Sequence, residues 1–86
     1  MKFSVLVEVR LRPGIADPQG ATIERSLPTL GYRSISEVSV GKAIRLVIEA
    51  ADADEARRTV EDVSHRFLTN PVIEDAVITI DETVPA

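Results

Sequence analysis

Residues 2–12 alternate without a break. Phe3, Val5, Val7, Val9 and Leu11 hold one set of positions, and Ser4, Leu6, Glu8, Arg10 and Arg12 the other. Side chains two apart on a strand share a face, so this stretch predicts a long β-strand with one face on a core. Such a strand needs paired neighbours and a cover for its apolar face, and the rest of the chain has to supply both.

Pro13-Gly14 ends the strand. Asp17 before Pro18 predicts a helix start, because Asp caps the free amides and Pro suits the first helical position. Ile23, Leu27 and Leu30 follow on one helical face, and Gly31 is a natural stop. Pro28 removes an amide and crowds the preceding turn, so a bend or shortened last turn is expected there. Residues 34–40 read as a strand, Gly41-Lys42 as a tight turn, and residues 43–50 as the returning strand of a β-hairpin. A second helix starts at Asp52, with Glu55 at capping-box spacing. Its buried face is expected to be Ala56, Val60, Val63 and Phe67, and Asn70-Pro71 closes it. Residues 73–81 form a last alternating strand, and "ETVPA" reads as a frayed tail.

The order is βαββαβ. It predicts an α+β, ferredoxin-like fold: a four-stranded antiparallel sheet with two helices on one face. One domain over residues 1–82 and a short tail at 83–86 account for the chain. A domain this small buries roughly 60% of its unfolded surface, so self-association would help it. Leu6, Val47 and Val77 fall on the sheet face turned from the helices, which makes them candidate self-association residues.

Several function classes are disfavoured. A net charge of −4 does not suit a phosphate-backbone binder. RNA-recognition domains share the strand order but stack bases on exposed aromatics, whereas Phe3 should face the core. The sequence has no cysteine, which removes disulfides, thiolate ligands and Cys nucleophiles. No apolar run approaches the ~20 residues of a membrane span, and a cytoplasmic location fits. His65 has no evident nucleophile or orienting partner, and the carboxylates of 52–62 suit the first turn and outer face of a helix. The Pro13-Gly14 turn before a helix offers free amides, but no phosphate-loop pattern is present and Asp17 would repel an anion. No catalytic, cofactor-binding or metal-binding residue is therefore expected.

Four short motifs occur in order: "DPQG" at 17–20, "LGY" at 30–32, "VSVGK" at 38–42 and "NPVIED" at 70–75. Together they make the chain resemble the PurS-type small subunits of phosphoribosylformylglycinamidine (FGAM) synthase. The resemblance implies a non-catalytic subunit of de novo purine biosynthesis, a homodimer or higher assembly. It would bridge a glutaminase subunit and an ATP-dependent synthetase subunit and support ammonia transfer. This chain would bind no cofactor; ATP and magnesium would belong to the synthetase. The candidate partner-interface residues are Asp17, Gln19, Gly20, Gly41, Lys42, Asn70, Glu74 and Asp75. Gly20 early in a helix costs up to ~1 kcal/mol relative to Ala, which suggests close approach of another chain. The alternative is an ACT-like dimeric domain that senses small molecules; a small acyl-phosphate hydrolase is a further rival.

Overall fold

The long first strand is the middle of the sheet. In the computed structural model, which describes residues 1–82, β1 (Lys2–Leu11) lies between β2 (Lys42–Glu49) and β3 (Glu74–Glu82). The expected tail at 83–86 lies outside the described residues. Both neighbours are antiparallel, in the register the alternation requires. Val5 stands opposite Leu46 and Ile80, and Val7 opposite Ile44 and Ile78. Phe3, Val5, Val7 and Val9 are buried, Val7 completely.

Helix α2 (Ala53–Val63) covers that face with Ala56 and Val60. The side chain of Asp52 accepts the Glu55 amide at 2.8 Å, which is the expected cap. Asp54 and Glu55 add negative charge to the first turn, where the helix dipole favours it. After Val63 the helix widens into one π turn, Ser64–Leu68. The Ser64 carbonyl accepts both the amide and the hydroxyl of Thr69, at 3.0 and 2.9 Å. The wider turn carries Ser64 and Leu68 inward and leaves Phe67 82% exposed, so Phe67 is not the core residue its spacing suggested.

The sheet has three strands, not four. Residues 34–40 form no strand, for two reasons. Glu37 sits at φ 56, which breaks an extended run. The Val38 and Val40 amides donate to carboxylates, Glu24 Oε1 and Asp17 Oδ2, each at 2.8 Å. Gly41 is not half of a hairpin turn either. Its backbone presses on β1, where an added Cβ would stand 2.5 Å from the Val9 carbonyl oxygen.

Helix α1 (Pro18–Ser26) is followed by a short 3-10 turn, Pro28–Leu30, and then by Gly31 at φ 98. Pro28 shortens the helix and Gly31 stops it, as their chemistry predicts. The helix is not part of the layer on the sheet, however. Its main packing is on the 3-10 turn, and α2 is the helix that covers the sheet. The outline is correspondingly long, 51 × 32 × 14 Å. The radius of gyration is 16.7 Å, against about 12 Å for a compact chain of this length.

If β1 is the centre of stability, Val7→Ala should lower the unfolding free energy by about 2 kcal/mol, two buried methyl groups plus their cavity. Val47→Ala, on the open face, should change it by less than ~0.5 kcal/mol. Urea unfolding of both variants checks this; equal effects would contradict the placement of the core.

Candidate partner interface

Asp17 ties two parts of the chain together. Its Oδ1 accepts the Gly20 amide at 2.9 Å and caps α1, while its Oδ2 accepts the Val40 amide at 2.8 Å. These two amides, Gly20 foremost, hold the Asp17 carboxyl below its ordinary value, against a smaller opposing effect of desolvation. Glu24, on the same helix, holds Val38 in the same way. Gly20 completes the clamp by letting the helix close on this segment. A Cβ at Gly20 would lie 2.6 Å from Asp17 Oδ2 and 2.6 Å from the Val38 carbonyl oxygen. The close approach expected with another chain is therefore made within this one. Helix α1 and residues 38–40 form a single clamped arm.

The arm meets the sheet at a groove of about 200 Å³ lined by Gln19, Val40, Gly41, Lys42 and Glu74. Three of the four sequence motifs converge here. Asn70 and Glu74 shape the turn behind it. The Asn70 amide donates to Glu74 Oε1 at 2.7 Å, and the Glu74 amide donates to the Asn70 carbonyl at 2.8 Å. Asn70 Oδ1 also accepts the Val72 amide, at 3.2 Å. Asp75 pairs with Arg12 at 3.2 Å on the surface, an exposed pair worth about 0–1 kcal/mol. Both Glu74 and Asp75 also line a neighbouring groove of about 320 Å³, with Arg12, Arg57 and the exposed His65. Asn70, Glu74 and Asp75 thus form one rim, and Gln19, Gly41 and Lys42 the facing one. Asp17 and Gly20 stand behind that second rim as the clamp that fixes it.

Leu6, Val47 and Val77 lie on the open sheet face, as the alternation predicts. Val47 is paired with Ser4, Leu6 with Arg45 and Thr79, and Val77 with Glu8, so the three run diagonally across the sheet. Val47 is 63% exposed and Val77 41%, while Leu6 is half-buried. With Ser4, Arg45, Thr79 and Asp81, Leu6 and Val47 border a shallow depression of about 450 Å³. A continuous apolar diagonal between charges of both signs suits a contact better than scattered apolar residues would.

Sequence reasoning missed two features. The Glu24–Val38 bond has no local signature, since it joins residues 14 apart. Exposed Phe67 was hidden by the π turn, which a 3.6-residue periodicity does not anticipate. Among the described residues, no group of three or more His, Asp or Glu side chains is arranged to hold a metal ion.

The chain matches the family model described as PurS: phosphoribosylformylglycinamidine (FGAM) synthase over residues 4–82. The FGAM synthase subunit PurS of Methanothermobacter thermautotrophicus is 39% identical over 82 residues, covering 95% of this chain and 96% of that protein. The solved PurS of Thermus thermophilus superposes with a TM-score of 0.85 at 30% identity, covering 98% of this chain and 100% of that one. A chain of the Thermotoga maritima structure named PurLQS superposes with a TM-score of 0.86 at 30% identity, covering 93% of this chain and 98% of that one. These relatives favour the synthase-subunit reading over a small-molecule sensor.

The clamp makes two predictions. Helix propensity alone would have Gly20→Ala stabilise the protein by up to ~1 kcal/mol. The clamp reverses the sign, because the new Cβ would collide with Val38 and Asp17; urea unfolding should show a loss. Asp17 has a lowered folded value, so its contribution is fully present above the ordinary 3.8 and is lost as pH falls through the lowered value. The stability gap between the wild type and Asp17→Asn should therefore narrow below that pH. A gap that stays constant into strong acid would contradict the clamp.

Proposed function

The chain belongs to the PurS family of FGAM synthase, and from that membership we propose that it works as the coupling subunit of this synthase in purine biosynthesis. The observation that carries the reading is the fold it shares with a chain of the PurLQS structure. In this reading, a glutaminase subunit frees ammonia from glutamine. A synthetase subunit uses ATP and magnesium to activate the amide of formylglycinamide ribonucleotide, and ammonia replaces its oxygen to give the amidine. The present chain takes no part in bond-making. It bridges the two catalytic subunits and helps keep ammonia from solvent, as a homodimer or higher assembly in the cytoplasm.

The surface supports these roles in different places. The groove bounded by Gln19, Gly41 and Lys42 on one side and Glu74 on the other presents both charge signs. Asn70 and Asp75 extend its rim, and Asp17 and Gly20 fix its shape, so this is the proposed contact with a catalytic subunit. The Leu6, Val47 and Val77 diagonal is a proposed contact with another copy of the chain. Among the described residues, no helix is long and apolar enough to cross a membrane.

Turnover by the purified glutaminase and synthetase subunits, with and without this chain, tests the proposal. Glutamine-dependent amidine formation should require the chain. Formation from free ammonium should change little, because the synthetase then needs no delivered ammonia. If adding the chain changes neither rate, the coupling role is wrong.

A further inference from the structure

Among the described residues, one buried side-chain polar atom has no hydrogen-bond partner: the hydroxyl oxygen of Ser64, a residue only 2% exposed. Buried polar groups are nearly always paired, so an orphan of this kind points to a partner that the chain itself does not supply. Ser64 opens the π turn, and the turn gives the Thr69 amide and hydroxyl to the Ser64 carbonyl, not to its side chain. Single π turns inside helices are frequent at functional sites.

Ser64 forms part of the wall of the groove of about 320 Å³ between α2 and β3. Arg57, Glu61 and Ser64 follow one another at spacings of four and three, so they share one side of the helix. Ala76 and Ile78 give the opposite wall an apolar strip, and Arg12 and Asp75 join the lining as an ion pair. The polar groups are only partly used. Arg57 stands 3.9 Å from Glu61, too far for a hydrogen bond. Arg12 spends its Nε on Asp75 and the Glu74 carbonyl, which leaves its two terminal nitrogens without a partner among the described residues. The volume is at the small end of ligand clefts, which run from about 300 to 1,000 Å³.

We propose that this groove binds a free α-amino acid. The lining selects that class by charge. An anion alone would meet the carboxylates of Glu61, Glu74 and Asp75, and a cation alone the guanidinium groups of Arg12 and Arg57. A zwitterion satisfies both sets. Its carboxylate takes the planar fork of Arg57 and the Ser64 hydroxyl, which rotation about χ1 can re-aim without moving the backbone. Its ammonium takes the remaining oxygens of Glu61 and Asp75, and a short side chain rests on Ala76 and Ile78. Such binding is a property of the chain alone and does not depend on the coupling role.

The full-length chain, labelled with nitrogen-15, is titrated with L-alanine, L-serine, L-valine and L-glutamine. Acetate and methylammonium serve as the two halves of the ligand. At least one amino acid should shift the amide signals of Ser64, Thr69 and Ile78 saturably, and bind at least about tenfold more tightly than either half. Ser64→Ala removes only the orphan oxygen, so the fold should persist while that amino acid binds about tenfold or more weakly. Arg57→Gln, at an exposed position, should weaken it as well and replaces Ser64→Ala should that chain not fold. No shift of these signals by any of the four at about 10 mM would overturn the proposal. So would a half that binds as tightly as the amino acid, or binding that the substitution leaves unchanged.

Discussion

Burial of Val5, Val7 and Val9 between two antiparallel strands and α2 is the constraint on which the remaining structure depends. β1 contributes all four of the sheet's buried side chains, and Val5 and Val7 each sit in a row with a partly buried neighbour on either side. Because the side-chain period is 2, a register slip of one residue would bring Leu6, Glu8 and Arg10 inward. The charged members of that set make such a slip very costly. The register in turn determines the opposite face. Once Val7 is buried, Leu6 must point outward between Arg45 and Thr79, and the apolar diagonal through Val47 and Val77 follows.

A second constraint acts on the part of the chain that this core does not reach. Residues 34–40 have the composition of a strand, and extended backbone can satisfy its amides in more than one way. Here two carboxylates take the amides of Val38 and Val40, and these bonds also fix α1. Charge-assisted bonds of this kind are stronger than neutral ladder bonds, so the local competition can go against the sheet. The same bonds keep α1 from the place a βαββαβ order would give it. Two side chains, Asp17 and Glu24, therefore account for both departures from the expected fold, the missing strand and the displaced helix.

Much was legible where the signal is local. The alternation gave β1, β2 and β3 nearly to their ends, and Asp17, Pro28, Gly31 and Asp52 act as their chemistry predicts. The failures come from interactions that span the chain or alter the period. Asp17 was readable as a cap through its first oxygen, but its second oxygen reaches Val40, 23 residues on, and no spacing rule points there. Phe67 was placed by counting 3.6 residues per turn across a segment that turns more widely. The candidate interface fared in the same way. Its motifs were identifiable by type, and their meeting at one groove was not, because Gln19, Lys42 and Glu74 come from three separate elements.

If, as proposed, the chain takes no part in bond-making, it acts through the geometry of its surfaces, and bonds within the chain set that geometry. The clamp that holds α1 outward is also what shapes the rim formed by Gln19, Gly41 and Lys42. Because Asp17 and Glu24 fix α1 to residues 38–40 within one chain, the rim keeps its shape whatever the exposed side of the helix meets. A rim set inside the chain suits the proposed role of holding two enzymes in register, since it meets each partner already formed.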